Sequence, residues 1–120
     1  MAFEKIQDYF IKVDNMHTNA RNVAAELQKK YEDARYNLCI AFHSFHVITR
    51  LYASTSEVYI YKKGEYVDAV DAEICAYEAL QDITEHYNRM SKISGIAKQA
   101  YNRAVKMRME VFFKFRKLRT

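Results

Sequence analysis

The stretch from Tyr36 to Ala53, YNLCIAFHSFHVITRLYA, constrains the fold most, because it carries one formal charge, Arg50, among otherwise apolar and weakly polar residues. Wound as a helix at about 100° per residue, it sets Leu38, Ala41, Phe42, Phe45, Ile48 and Tyr52 on one face and Ile40, Val47 and Leu51 on the opposite one. One partner helix covers only one of these faces. A helix apolar all round belongs at the centre of a bundle, at a subunit interface or in a membrane. The membrane is the weakest of the three, since His43, Ser44, His46, Thr49 and Arg50 interrupt a run already shorter than the ~20 apolar residues a span needs.

The rest of the chain has a helical composition. Its 120 residues include no proline and only two glycines, Gly64 and Gly95, and half are hydrophobic. The usual punctuation of sheets and long loops is therefore missing. A single domain over residues 1–120 buries roughly 65 % of the surface its unfolded form exposes, enough to fold without a disulfide or a metal. With 14 % aromatic residues, ten of them tyrosines, it has the apolar area that disordered chains lack. Cys39 and Cys75 show no framework spacing, which reads as reduced thiols. MAFEKIQDYF places Glu4 early and has no sustained apolar core, so it does not read as a secretory signal. The expected location is cytoplasmic.

Along the chain, Phe3, Ile6, Phe10 and Val13 recur every three or four residues, the spacing of one helical face. DNMHTN, Asp14 to Asn19, holds residues that favour helix caps, so a first helix is expected to end near Val13. Val23, Leu27, Tyr31, Ala34, Leu38, Phe45, Ile48 and Tyr52 then mark a long helix from Asn19 to about Lys62, ended by a turn at Lys63 and Gly64. A short hairpin within Ser54 to Val70 is the alternative, on the β-branched and aromatic residues of VYIY and EYV. Val70, Ile74, Tyr77, Leu80, Ile83, Tyr87 and Met90 trace a third helix. After a kink or turn at SKISG, Ile96, Ala100, Ala104, Met107, Val111, Phe115 and Leu118 trace a fourth. The expected fold is all-α: an antiparallel bundle of three or four helices with one long central helix.

Chemistry-bearing patterns are sparse. Cys39, His43 and His46 share a helical face and with Cys75 or His86 could complete a zinc site, but no paired CxxC or HxxxH word accompanies them. Packing is therefore the favoured reading and no metal or other cofactor is expected. Asp68, Asp71 and Glu78 could supply an acid–base pair, yet Asp82 and Glu85 repeat the same spacing, as on a solvated face. Glycine-rich phosphate loops, GxSxG and HExxH are absent, and the chain reads as a non-enzyme.

From Asn88 to Thr120 the chain carries ten Lys and Arg against Glu110 alone. Lys92, Arg103, Lys106, Lys114 and Lys117 gather on one strip, the candidate binding surface for an acidic protein partner or, alternatively, for nucleic acid. The acidic strip could instead neutralise it within the fold or across a dimer. Ile40, Val47 and Leu51 are the candidate homo-oligomer interface. The functional expectation is a non-enzymatic protein-binding module: an adaptor, a chaperone-like factor or a compact inhibitor of the size that phages and mobile elements often encode. The alternative is a nucleic-acid-binding accessory protein acting through its basic C-terminal helix. No membrane partner is expected.

Overall fold

A computed structural model describes residues 2–119. Two α-helices, α1 (Ala2–Leu51) and α2 (Glu57–Arg119), account for all but a turn at residues 52–56, with no strand among the described residues. This overturns the expected bundle of three or four helices. Three of the expected boundaries do not exist, and the real one lies inside the segment expected to be a long central helix.

Each difference has a local cause. At Asp14–Asn19 the backbone is helical throughout, because residues that favour caps cost only a few tenths of a kcal/mol in a helix interior. Val13 and Ala20 on either side are buried to 4 % and 3 % exposure, and a break there would unpack both. Lys63, Gly64 and Gly95 are also helical, and neither glycine has a positive φ. The actual turn is YASTS. The Tyr52 amide donates the last bond of α1 to the Ile48 carbonyl, and the Ser56 amide closes the turn on the Ala53 carbonyl at 3.0 Å. Ser56 then caps α2, its Oγ accepting from the Tyr59 amide at 3.2 Å. Glu57 follows in the first turn, where an acid suits the helix dipole. The alternative hairpin over Ser54 to Val70 is likewise absent, since α2 begins at Glu57.

The chain divides into two compact units. Unit 1 joins α1 up to Asn22 with α2 from Glu85 onward, and unit 2 is Val23–Thr84. In unit 1, Phe10 stacks on Tyr101 (5.0 Å between ring centroids) and His17 on Tyr87 (5.1 Å). In unit 2, Tyr31 meets Tyr77 at 5.6 Å and Phe45 stacks on Tyr66 at 5.7 Å. Within each unit the partner's number falls as the first residue's rises, so the two segments run antiparallel.

A seven-residue repeat organises the packing in both units. On α1, Phe3, Phe10, His17, Ala24, Tyr31, Leu38 and Phe45 occupy the a positions, and Ile6, Val13, Ala20, Leu27, Ala34, Ala41 and Ile48 the d positions. On α2, Tyr59, Tyr66, Glu73, Leu80, Tyr87, Ser94 and Tyr101 are a, and Lys62, Ala69, Ala76, Ile83, Met90, Ala97 and Ala104 are d. Every one of these side chains is buried or half-buried, as knobs-into-holes packing requires. The sequence pattern misplaced parts of the α2 stripe. Ile74, Tyr77, Ile96 and Met107 are exposed, because Ala, Ser and Glu hold the neighbouring seam positions and the larger apolar residues lie on the flanks.

Candidate protein-interaction surface

The seam covers one face of each helix and leaves the others open. On α1 of unit 2, Tyr36, Ile40 and Val47 lie on the side away from α2, and Leu51 follows at the last turn. Ile40 is 51 % exposed, Val47 56 % and Leu51 70 %. The stretch expected to be buried on nearly every side is thus buried on one, and Ile40, Val47 and Leu51 come together on its solvent side. Their exposure follows from the two-helix fold: α1 has one intramolecular partner, and that partner occupies the face of Leu38, Ala41, Phe45 and Ile48.

The excess is large in area. The chain exposes 9680 Å², whereas a folded monomer of its length exposes about 6,800 Å². The difference, roughly 2,900 Å², falls in the range of about 2,000–5,000 Å² that obligate homodimer interfaces bury. A soluble chain seldom presents so much apolar surface without something to cover it.

On α2 the solvent-facing c and f positions are exposed without exception from Tyr61 to Lys117, and they are sorted by charge. Asp68, Asp71, Cys75, Glu78, Asp82 and Glu85 come first. Arg89, Lys92, Ile96, Gln99, Arg103 and Lys106 follow, and Glu110, Phe113 and Lys117 complete the row. The acidic and basic strips therefore share one helix rather than facing each other on two. Asp82 and Arg103 lie about 30 Å apart along α2, which removes the expected neutralisation of one strip by the other within the fold. Of the candidate binding residues, Lys92, Arg103, Lys106 and Lys117 fall on this face, while Lys114 sits beside it. Sequence periodicity found both strips; it missed that they are consecutive parts of one row, a fact visible in the unbroken 3-4 spacing from Asp68 to Lys106.

The other candidates are not assembled into chemistry. Cys39, His43 and His46 are all exposed, with His46 stacked on Phe42 at 4.6 Å. Among the described residues no three His, Cys, Asp or Glu side chains are placed to hold a metal ion. Asp68, Asp71 and Glu78 lie along the exposed face of α2. A shallow groove of about 540 Å³ beside the unit 2 seam is lined by Tyr31, Arg35, Leu38, Cys39, Phe42, Tyr66 and Glu73. Its walls are mainly apolar, suited to holding a side chain. Of the tyrosines near Gly64, only Tyr61 is exposed; Tyr59 and Tyr66 pack on Phe45. The Glu65 carboxyl lies below the ordinary carboxylate range because Tyr61 and Lys62 donate hydrogen bonds to it, the Lys62 contact being 3.2 Å. These groups belong to adjacent turns of α2 and tie that helix locally. No helix is long and apolar enough to cross a membrane among the described residues. Comparisons with protein-family models, with curated proteins and with solved structures found no match to this chain.

Proposed function

We propose that this chain is a non-enzymatic protein-binding module that works as a homo-oligomer, in the manner of an adaptor, a chaperone-like factor or a small inhibitor. The observation that carries this reading is the apolar stripe of Ile40, Val47 and Leu51, exposed on α1 where the fold offers nothing to cover it. Two further features support it: the candidate metal and acid–base residues lie dispersed on exposed faces, and the exposed area is of the size that assembly removes.

The test is assembly state. The unmodified chain is expected to be a dimer or larger at roughly tens of micromolar, the range that weak to moderate interfaces reach. Val47→Asp should yield monomer, because an unpaired carboxylate in an apolar interface costs several kcal/mol. A monomeric unmodified protein by light scattering overturns the homo-oligomer reading. A second reading, nucleic-acid binding, draws on the exposed Phe112 and Phe113 beside Lys114 and Arg116, a mixture suited to phosphates and bases. Oligonucleotide affinity that falls steeply with added salt would favour it.

A further inference from the structure

We infer that the outer face of α2 docks on the same face of a second copy, antiparallel, so that the acidic stretch of each chain lies against the basic stretch of the other. This rests on the homo-oligomer reading and deepens it by naming the partner of the basic strip and its register.

The argument comes from the order of charge on one helix. In a two-fold antiparallel contact each residue meets the one whose number completes a constant sum. With the axis level with Tyr87, Glu85 meets Arg89 and Asp82 meets Lys92. Further out, Asp71 meets Arg103 and Asp68 meets Lys106. The symmetry makes each of these pairs twice. Between them Cys75 meets Gln99 and Glu78 meets Ile96; toward the ends Gly64 meets Glu110 and Tyr61 meets Phe113. No like charges coincide. Sliding the copies by one heptad in either direction leaves one opposite-charge pair and brings like charges together at the axis, Arg89 with Lys92 or Asp82 with Glu85. A parallel arrangement sets acid on acid throughout.

The energetics suit a specific but salt-sensitive contact. Exposed ion pairs contribute little each, but the pattern rejects wrong registers through repulsion, which is how charges at helix interfaces select partners. The apolar part comes from Ile96, Tyr61 and Phe113, which are 68 %, 66 % and 55 % exposed in the single chain. The contact joins unit 2 of one copy to unit 1 of the other and leaves the Ile40, Val47 and Leu51 stripe free for a separate interface.

Charge exchange tests it. One variant carries Asp68→Lys with Asp71→Lys, and a second carries Arg103→Glu with Lys106→Glu. Alone, each variant sets like charges together and should self-associate roughly 30-fold more weakly than the unmodified chain. Mixed in equal amounts, they restore every pair and should form a heterodimer within about threefold of the original affinity, as read by sedimentation and native mass spectrometry. All four positions are exposed, so circular dichroism should show unchanged helicity, and recovery on mixing itself requires folded chains. Register is read separately by Gln99→Cys in a Cys39→Ser background, where a short thiol crosslinker should join Cys75 to the new cysteine of the second copy. If the unmodified chain is monomeric, the homo-oligomer reading and this inference both fail. If it assembles but neither variant is weakened, or mixing restores nothing, or no crosslink forms, this inference alone is overturned and the α1 stripe remains the interface.

Discussion

Units 1 and 2 share one heptad repeat and fill it differently. In unit 1 large side chains sit across from small ones: Val13 lies level with Ala97, and Ala20 with Met90, and these four are the side chains buried to 5 % or less. Val13, Met90 and Ala97 form one cluster with Phe10 packed against it. In unit 2 no residue reaches that degree of burial. Its d positions set Ala34 level with Ala76 and Ala41 with Ala69, too little volume to close the seam, while Glu73 and Lys62 hold seam positions with polar groups. The larger apolar residues of unit 2 point outward. A two-helix seam can thus be completed internally in one stretch and left dependent on outside contacts in the next, with the same periodicity throughout.

The strongest way to break this comparison is to truncate one side chain from each seam. Met90→Ala in unit 1 should cost about 2–4 kcal/mol, because it opens a cavity among atoms that cannot collapse onto it. Leu80→Ala in unit 2 should cost about 1 kcal/mol, since Leu80 is already partly in contact with water. Urea unfolding of both at one protein concentration, which assembly makes necessary, measures the difference. Equal losses would mean that the burial contrast does not set stability.

A gain-of-stability change sharpens the comparison from the other side. Glu73 occupies an a position level with Leu38 and is only half-buried. Glu73→Leu adds apolar burial to the weaker seam and removes the cost of partly desolvating a carboxylate. The expected gain is about 1 kcal/mol, seen as a rise of a few degrees in Tm. The counterpart in unit 1 offers no such margin: Ala97→Leu pushes extra volume into a site that is 2 % exposed and should destabilise by about 1–3 kcal/mol. If Glu73→Leu lowers Tm, the acid has a structural role that its position in the seam does not disclose.

Helical class was legible because nothing in the sequence breaks a helix outright. The seam of α1 was legible as well: Phe3, Ile6, Phe10, Val13, Leu27, Tyr31, Leu38, Phe45 and Ile48 are large, and they hold the spacing. What failed was punctuation. Asp14 and Asn19 carry cap chemistry without ending a helix, whereas Ser56, which does cap one, lies in a stretch where the aromatic run VYIY drew the eye. Helix α2 was harder because its seam is small. Ala69, Glu73, Ala76, Ser94 and Ala97 carry little hydrophobic signal, so Val70, Ile74, Tyr77 and Ile96 stood out in their place. The candidate surfaces were legible as residues; their arrangement depended on knowing that one helix carries both signs of charge.

Glycine provides the finest comparison between the units, one in each. Gly64 in unit 2 and Gly95 in unit 1 were read as a turn and a kink, yet both lie inside α2 with ordinary helical backbone. A Cβ built on either meets no atom within 4 Å. Alanine at such a site loses less backbone entropy on folding and meets no steric penalty, so Gly64→Ala and Gly95→Ala should each stabilise by about 0.5–1 kcal/mol. The two substitutions lie far apart along α2 and should add. Thermal unfolding followed by circular dichroism reads the sum. A loss at Gly64 would restore the turn expected from Lys63 and Gly64, and a loss at Gly95 would restore the kink. Unequal gains would report where α2 is held more tightly. Because a rigid neighbourhood converts reduced chain entropy into stability more completely than a fraying one, the larger gain is expected at Gly95, beside Ala97 and the closed seam of unit 1.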